Sequence, residues 1–365
     1  MLRALMFALT LAASPALATV VQTTAGPMRI EPVLTGLDEP WGVAFLPGGD
    51  VLVTERDGRL LLGAAGRTAA VSGGPDVRAQ GQGGLLDVLV PRDFATSREV
   101  WLSFAVAGAG GAATALGKGR LSVDNRQLDG FQTLWAGDMA RGGRHFGARL
   151  AEAPDGTIWL GTGDRGTGPD NQAAQDPAST IGKVLAFRRD GTPLAPARAG
   201  WAPGVQSIGH RNIQGMAFDS RGRLWAAEHG ARGGDEVNLI QPARNYGWPA
   251  ISYGTDYDGS RIGTGTSAPG LEQPAHVWDP SMAPSGLAPW GGGQMAQWRG
   301  SLFVGSLKFD HIARLDPASA SGTTMAQEII GSPETARVRD VRQGPDGALW
   351  FLSVGNGALY RMAPL

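Results

Sequence analysis

A tight turn followed by a short apolar strand with a bulky residue near its middle recurs along this chain. The copies are Val51-Leu52-Val53-Thr54, Val100-Trp101-Leu102-Ser103, Ile158-Trp159-Leu160-Gly161, Leu224-Trp225-Ala226-Ala227, Leu302-Phe303-Val304-Gly305 and Leu349-Trp350-Phe351-Leu352. Four of the six place Trp second, which makes chance similarity a poor explanation. Several follow turns of one chemistry, such as Pro154-Asp155-Gly156 and Pro345-Asp346-Gly347. There Pro presets φ and Gly accepts a positive one. The spacing, about forty-five to eighty residues, fits one four-stranded blade plus its loops. A second run often precedes the turn, as at residues 41–46, 85–90, 215–218 and 338–342, and reads as the inner strand of each blade. The pattern therefore predicts an all-β chain, a six-bladed β-propeller of four-stranded antiparallel blades. The competing arrangement, a β-sandwich, does not account for the shared turn and Trp.

The ends and the gaps add to this. Residues 1–18 carry one Arg, a short apolar run and Ala16-Leu17-Ala18. That is the form of a secretory signal peptide and too short for a membrane span. Residues 19–365 then make a single exported domain, periplasmic or secreted, with no membrane insertion. The absence of cysteine means that no disulfide supports it. A net charge of −1 gives no reason to expect nucleic acid as a partner. Three segments, 107–115, 166–180 and 253–274, are rich in small residues and Pro. The first reads as a surface loop. The other two follow charged strand ends and read as lining a mouth.

Chemistry-bearing residues cluster at the strand ends. His145 stands where an inner strand should begin, and Asp164 returns nearby, a pattern suited to a general base with an orienting carboxylate. His210, with Arg211 and Asn212, repeats the situation one blade on. Gln82 sits among glycines that let backbone approach a ligand closely. Lys occurs only at 118, 183 and 308. Lys308 at a strand end, with Arg211, Arg337 and Arg339 from other blades, suits convergence on a multiply charged anion. A solvated Lys and an outward salt-bridging ladder explain Lys308 and the two Arg of 337–339 equally well on sequence alone. Asp235, Glu236 and nearby turn carbonyls suit a hard cation such as calcium.

In these same segments the chain resembles the soluble sugar dehydrogenases that depend on pyrroloquinoline quinone (PQQ), the glucose/sorbosone type. The matching stretches run in order through the mature chain: 40–47, 81–87, 145–147, 162–166, 209–215, 228–238, 245–249, 284–287 and 337–342. The resemblance implies a six-bladed propeller with the quinone over its central mouth. It implies that His145 is the base taking the anomeric hydroxyl proton while hydride passes to the quinone, with Asp164 orienting it. Gln82, Arg211, Asn212, Tyr257, Lys308, Arg337 and Arg339 are implied as cofactor contacts. Calcium is implied as a Lewis acid on the cofactor, held largely by main-chain carbonyls at Glu236 and Tyr246. The implied reaction oxidises an aldose to its lactone and passes electrons to a soluble or membrane-associated acceptor. Arg144 stands where the glucose-specific branch has Asp, and that branch's long loops are absent. The chain is thus closer to the shorter, broad-specificity branch, a monomer or weak dimer. Two other functions compete. One is a calcium-dependent propeller hydrolase of the lactonase type with His145 or His210 as base; the other is a non-catalytic binding propeller.

Overall fold

The computed structural model describes residues 18–166, 168 and 172–365, so all but the last residue of the expected leader lies outside the described residues. Every recurrent motif is the second strand of a blade: Val51–Glu55, Glu99–Gly108, Ile158–Thr162, Leu224–Glu228, Leu302–Ser306 and Leu349–Ser353. The turn-plus-Trp pairing has a local cause. A buried indole must place its N–H, and the turn supplies the acceptor. Trp225 donates to Asp219 Oδ2 (3.1 Å), Trp350 to Asp346 Oδ1 (3.0 Å) and Trp159 to Thr157 Oγ1 (3.0 Å).

Six sheets result. Their inner strands are Pro40–Phe45, Leu85–Leu89, Gly147–Glu152, Ile213–Phe218, Pro284–Pro289 and Val338–Gln343. Each packs on the next, and the last packs on the first, so the ring is closed. Closure is made by the two ends of the chain. Gly26–Thr35 pairs antiparallel with Ala358–Pro364, placing an early strand in the blade built by the final residues. Two blades carry a fifth strand. Thr19–Thr23 extends the closing blade, and Arg244–Asn245 adds to Val205–Ile208 of the third blade in parallel. The four-stranded expectation is exceeded there, because a returning loop covers an otherwise open edge.

One loop expectation is corrected. Residues 107–115 belong to a long hairpin, Glu99–Gly108 with Gly111–Leu121, and Ala112 and Ala113 are buried. Small residues there serve close packing, which composition cannot tell from mobility. By contrast, 166–180 and 253–274 contain no β-strand among their described residues.

Charged groups fill the middle of the ring. Arg149 Nη1 lies 3.0 Å from both Asp87 Oδ1 and Asp340 Oδ1, all three buried. Arg342 adds contacts of 3.0 Å to each carboxylate. The network joins the second, third and closing blades. The first residues of the inner strands lie on one side of it, where they open into the site.

Candidate active site

The first residues of the inner strands line a cavity of about 730 Å³. Pro40, Trp41, Leu86, Gly147, Gln214 and Arg339 contribute from five blades, and the loop 307–310 from the remaining one. Arg337 and Lys308, both exposed, also line it. Neither they nor Arg339 has a carboxylate within ion-pair distance among the described residues. Arg339 stands half-buried in the wall and donates to Gln214 Oε1 at 3.0 Å. Desolvation, then the like charges of Arg149 and Arg337, push its pKa down to about 9. A cation so placed lacks a counter-charge, and a multiply anionic ligand would supply it. Gln82 and Asn212, both expected as ligand contacts, line the same cavity.

Beside it lies a pocket of about 140 Å³ lined by His145, Asp164, Arg144, Arg211, Trp248 and Tyr257, among others. His145 has φ +52°, an uncommon backbone for a non-glycine residue, and is pinned there on several sides. Its N–H donates to Gln82 Oε1 (2.7 Å). Its carbonyl lies against Gly163, where a Cβ would come within 2.2 Å of the oxygen; only glycine fits. Nδ1 lies 2.6 Å from Asp164 Oδ1. Asp164 in turn accepts from Gly166 N–H (2.7 Å) and from Trp248 Nε1 (2.9 Å). The carboxylate thus fixes the tautomer with the proton on Nδ1 and leaves Nε2 as the basic nitrogen. Burial holds His145 below the usual histidine pKa, and the Arg211 charge adds to this against the opposing pull of Asp164. The imidazole is therefore neutral at neutral pH, as a proton acceptor must be.

Arg211 links the compartments. It lines the base pocket, its guanidinium lies 5.1 Å from the Trp248 ring, and Nη2 reaches the Tyr257 hydroxyl at 3.4 Å. Its Nε is buried without a partner among the described residues, and Tyr257 is 64% exposed at the rim. Glu236 and Tyr246 come together in a third space of only about 10 Å³, which also touches Arg211 and His229. That is room for one water or ion. Neither residue lines the large cavity. Burial and the charge of Glu228 push Glu236 up to about 8. Two facing carboxylates, with Asn238 Oδ1 buried and without a partner among the described residues, are a donor set that fits a hard cation. Among the described residues no group of three His, Cys, Asp or Glu is gathered for a metal.

His210 is placed differently from His145. It is fully buried, with Nδ1 on Glu228 (2.9 Å), Nε2 on Ser207 (2.8 Å) and its ring stacked on Tyr246. Both nitrogens are engaged, so it holds structure rather than offering a base. Sequence reasoning missed Trp41, Gln214 and His229, all of which line the large cavity. Trp41 lies between Arg149 (4.3 Å) and Arg339 (5.8 Å). Its inner-strand start was the available signal.

Comparison with known proteins settles the kinship. The sequence profile of the Glucose / Sorbosone dehydrogenase family matches residues 37–361. The chain belongs to this family. Aldose sugar dehydrogenase YliI of Escherichia coli is 38% identical, over 92% of this chain and 93% of that protein. The crystal structure of the soluble aldose sugar dehydrogenase of E. coli in its apo form superposes with a TM-score of 0.84 at 37% identity, covering 93% of this chain and all of that one. The PQQ-bound aldose sugar dehydrogenase of Streptomyces coelicolor gives a TM-score of 0.75 at 28% identity, covering 96% and 99%. Among the described residues no helix is long and apolar enough to cross a membrane.

Proposed function

We propose that the protein is a PQQ-dependent aldose dehydrogenase, exported with loss of its leader, that oxidises the anomeric carbon of an aldose to the lactone. The observation that carries this reading is the pairing of an unneutralised cationic cavity with a neutral, carboxylate-oriented imidazole beside it. Lys308, Arg337 and Arg339 would hold the three carboxylates of the quinone, with Gln82, Asn212, Arg211 and Tyr257 around it. When bound, the quinone supplies the two-electron acceptor and calcium, held at Glu236 and Tyr246, a Lewis acid.

The chain's own residues do the rest. Nε2 of His145 takes the proton of the anomeric hydroxyl. Asp164 stabilises the imidazolium that forms and keeps the ring in place. Trp248 and the Gly166 amide hold Asp164 in turn. Burial, with the Arg211 charge adding to it, keeps the imidazole neutral beforehand, so that the base is available at neutral pH.

The test is reconstitution. Apo protein is given PQQ and calcium, then an aldose and an electron-accepting dye. Dye reduction should need both additions and collapse in His145→Ala. Failure to bind PQQ at micromolar concentration with calcium present would remove this reading and favour lactone hydrolysis.

A further inference from the structure

In the wall of the large cavity most side-chain acceptors are in use, while the exposed carboxylates Glu39 and Asp310 at its rim engage one oxygen each. Gln82 Oε1 accepts from His145 N–H, and Asn212 Oδ1 from Gly147 N–H and Gln214 Nε2. Gln214 Oε1 accepts from Arg339. Glu39 is paired with Arg56, and Asp310 Oδ1 accepts from Arg337 N–H at 2.8 Å. His229 is different. Its Nε2 lies 2.7 Å from the Pro284 carbonyl, which can only accept, so Nε2 carries the proton. Nδ1 is then a bare lone pair, with no hydrogen-bond partner among the described residues. The ring lines the cavity, with Arg211, His145 and Arg339 as its charged or titratable neighbours. Desolvation first, then these neighbours, hold its pKa below the ordinary histidine value.

We propose that His229 Nδ1 is a cofactor-recognition group, the neutral acceptor that takes the single ring N–H of bound PQQ. The inference rests on the quinone reading above. Oxidised PQQ offers carboxylates, carbonyls and a pyridine nitrogen as acceptors and only its pyrrole N–H as a donor. Lys308, Arg337 and Arg339 answer the acceptors. His229 answers the donor, and a site holding both fixes which way round the flat molecule lies. A tricarboxylate without an N–H would use the cations and ignore His229. A neutral hydrogen bond in a desolvated wall should be worth roughly a five- to tenfold change in affinity.

The experiment measures binding, not turnover. PQQ and trimellitate, a tricarboxylate with no N–H, are titrated calorimetrically into calcium-loaded protein. His229→Leu should weaken PQQ roughly five- to tenfold and leave trimellitate unchanged, and His229→Gln should restore PQQ binding. Unaltered protein gives an independent readout. With ¹⁵N-labelled histidine, only five residues contribute signals. The unprotonated Nδ1 resonance of His229 should move upfield with PQQ and stay put with trimellitate. Equal PQQ affinity in wild type and His229→Leu, loss of both ligands together in that variant, or an unmoved Nδ1 signal each overturns the proposal. Absence of PQQ binding in wild type rejects the quinone reading itself, and this one with it.

Discussion

Asp164 is where a single atom decides most. Its Oδ1 holds the imidazole of His145, the proposed base, and its Oδ2 holds Trp248. Asp164→Asn keeps the volume but removes the charge that stabilises His145 once protonated, so turnover should fall by roughly 10²- to 10⁴-fold in the dye assay. The pH profile carries a sign. The base works while neutral, so activity is lost as pH falls through its pKa, which lies below the usual 6.5. Asp164 is what raises that pKa against burial and Arg211. The acid limb of the Asn variant should therefore move to lower pH even as its maximum drops; a move upward would contradict the assignment of Asp164. Calcium removal with a chelator should abolish dye reduction, and added calcium should restore it.

At the scale of elements, the blades were legible because each repeat states its own turn and its own indole. His145 was legible as a polar residue just before the inner strand Gly147–Glu152, and Asp164 as the carboxylate just past the strand that returns beside it, Ile158–Thr162; the two meet at 2.6 Å. His229 was not: it follows a second strand, Leu224–Glu228, and reaches the cavity only because the backbone turns after Glu228. The hairpin at 107–115 was misjudged because alanine and glycine look alike in a loop and in a tightly packed ladder. Lys183 also escaped attention. It is fully buried, and Nζ donates to the carbonyls of Ala173, Ala174 and Ile181 at 2.8, 3.0 and 2.6 Å. Ala174 packs with Trp248, so this cation fastens the 172–181 segment to the element that steadies Asp164. Lys183→Met leaves three carbonyls without their donor. It should cost roughly 2–4 kcal/mol in urea unfolding and speed amide exchange in that segment before any other.

For the molecule as a whole, the ring is held at its centre by charge rather than by oil. Asp87, Arg149, Asp340 and Arg342 come from three blades, and Arg149 Nε also donates to the Gln214 carbonyl of a fourth at 2.8 Å. Asp87→Leu leaves two guanidiniums short of a partner. Denaturant unfolding should report a loss of roughly 3–5 kcal/mol, far more than an exposed pair such as Arg244–Glu272 would cost. A ligand seated on all the blades should brace the same ring. At a hundred times its Kd it should add about 2.7 kcal/mol and raise Tm by a few degrees.

The pairing of Gly26–Thr35 with Ala358–Pro364 also sets a clock. Gln82 and His145 are made early, Lys308, Arg337 and Arg339 late, and the strand that locks the circle last of all. While the ribosome is still adding residues, no half-finished chain owns a complete binding mouth. A chain cut before Val338 would lack both Arg339 in the cavity wall and the partner strand that closes the ring.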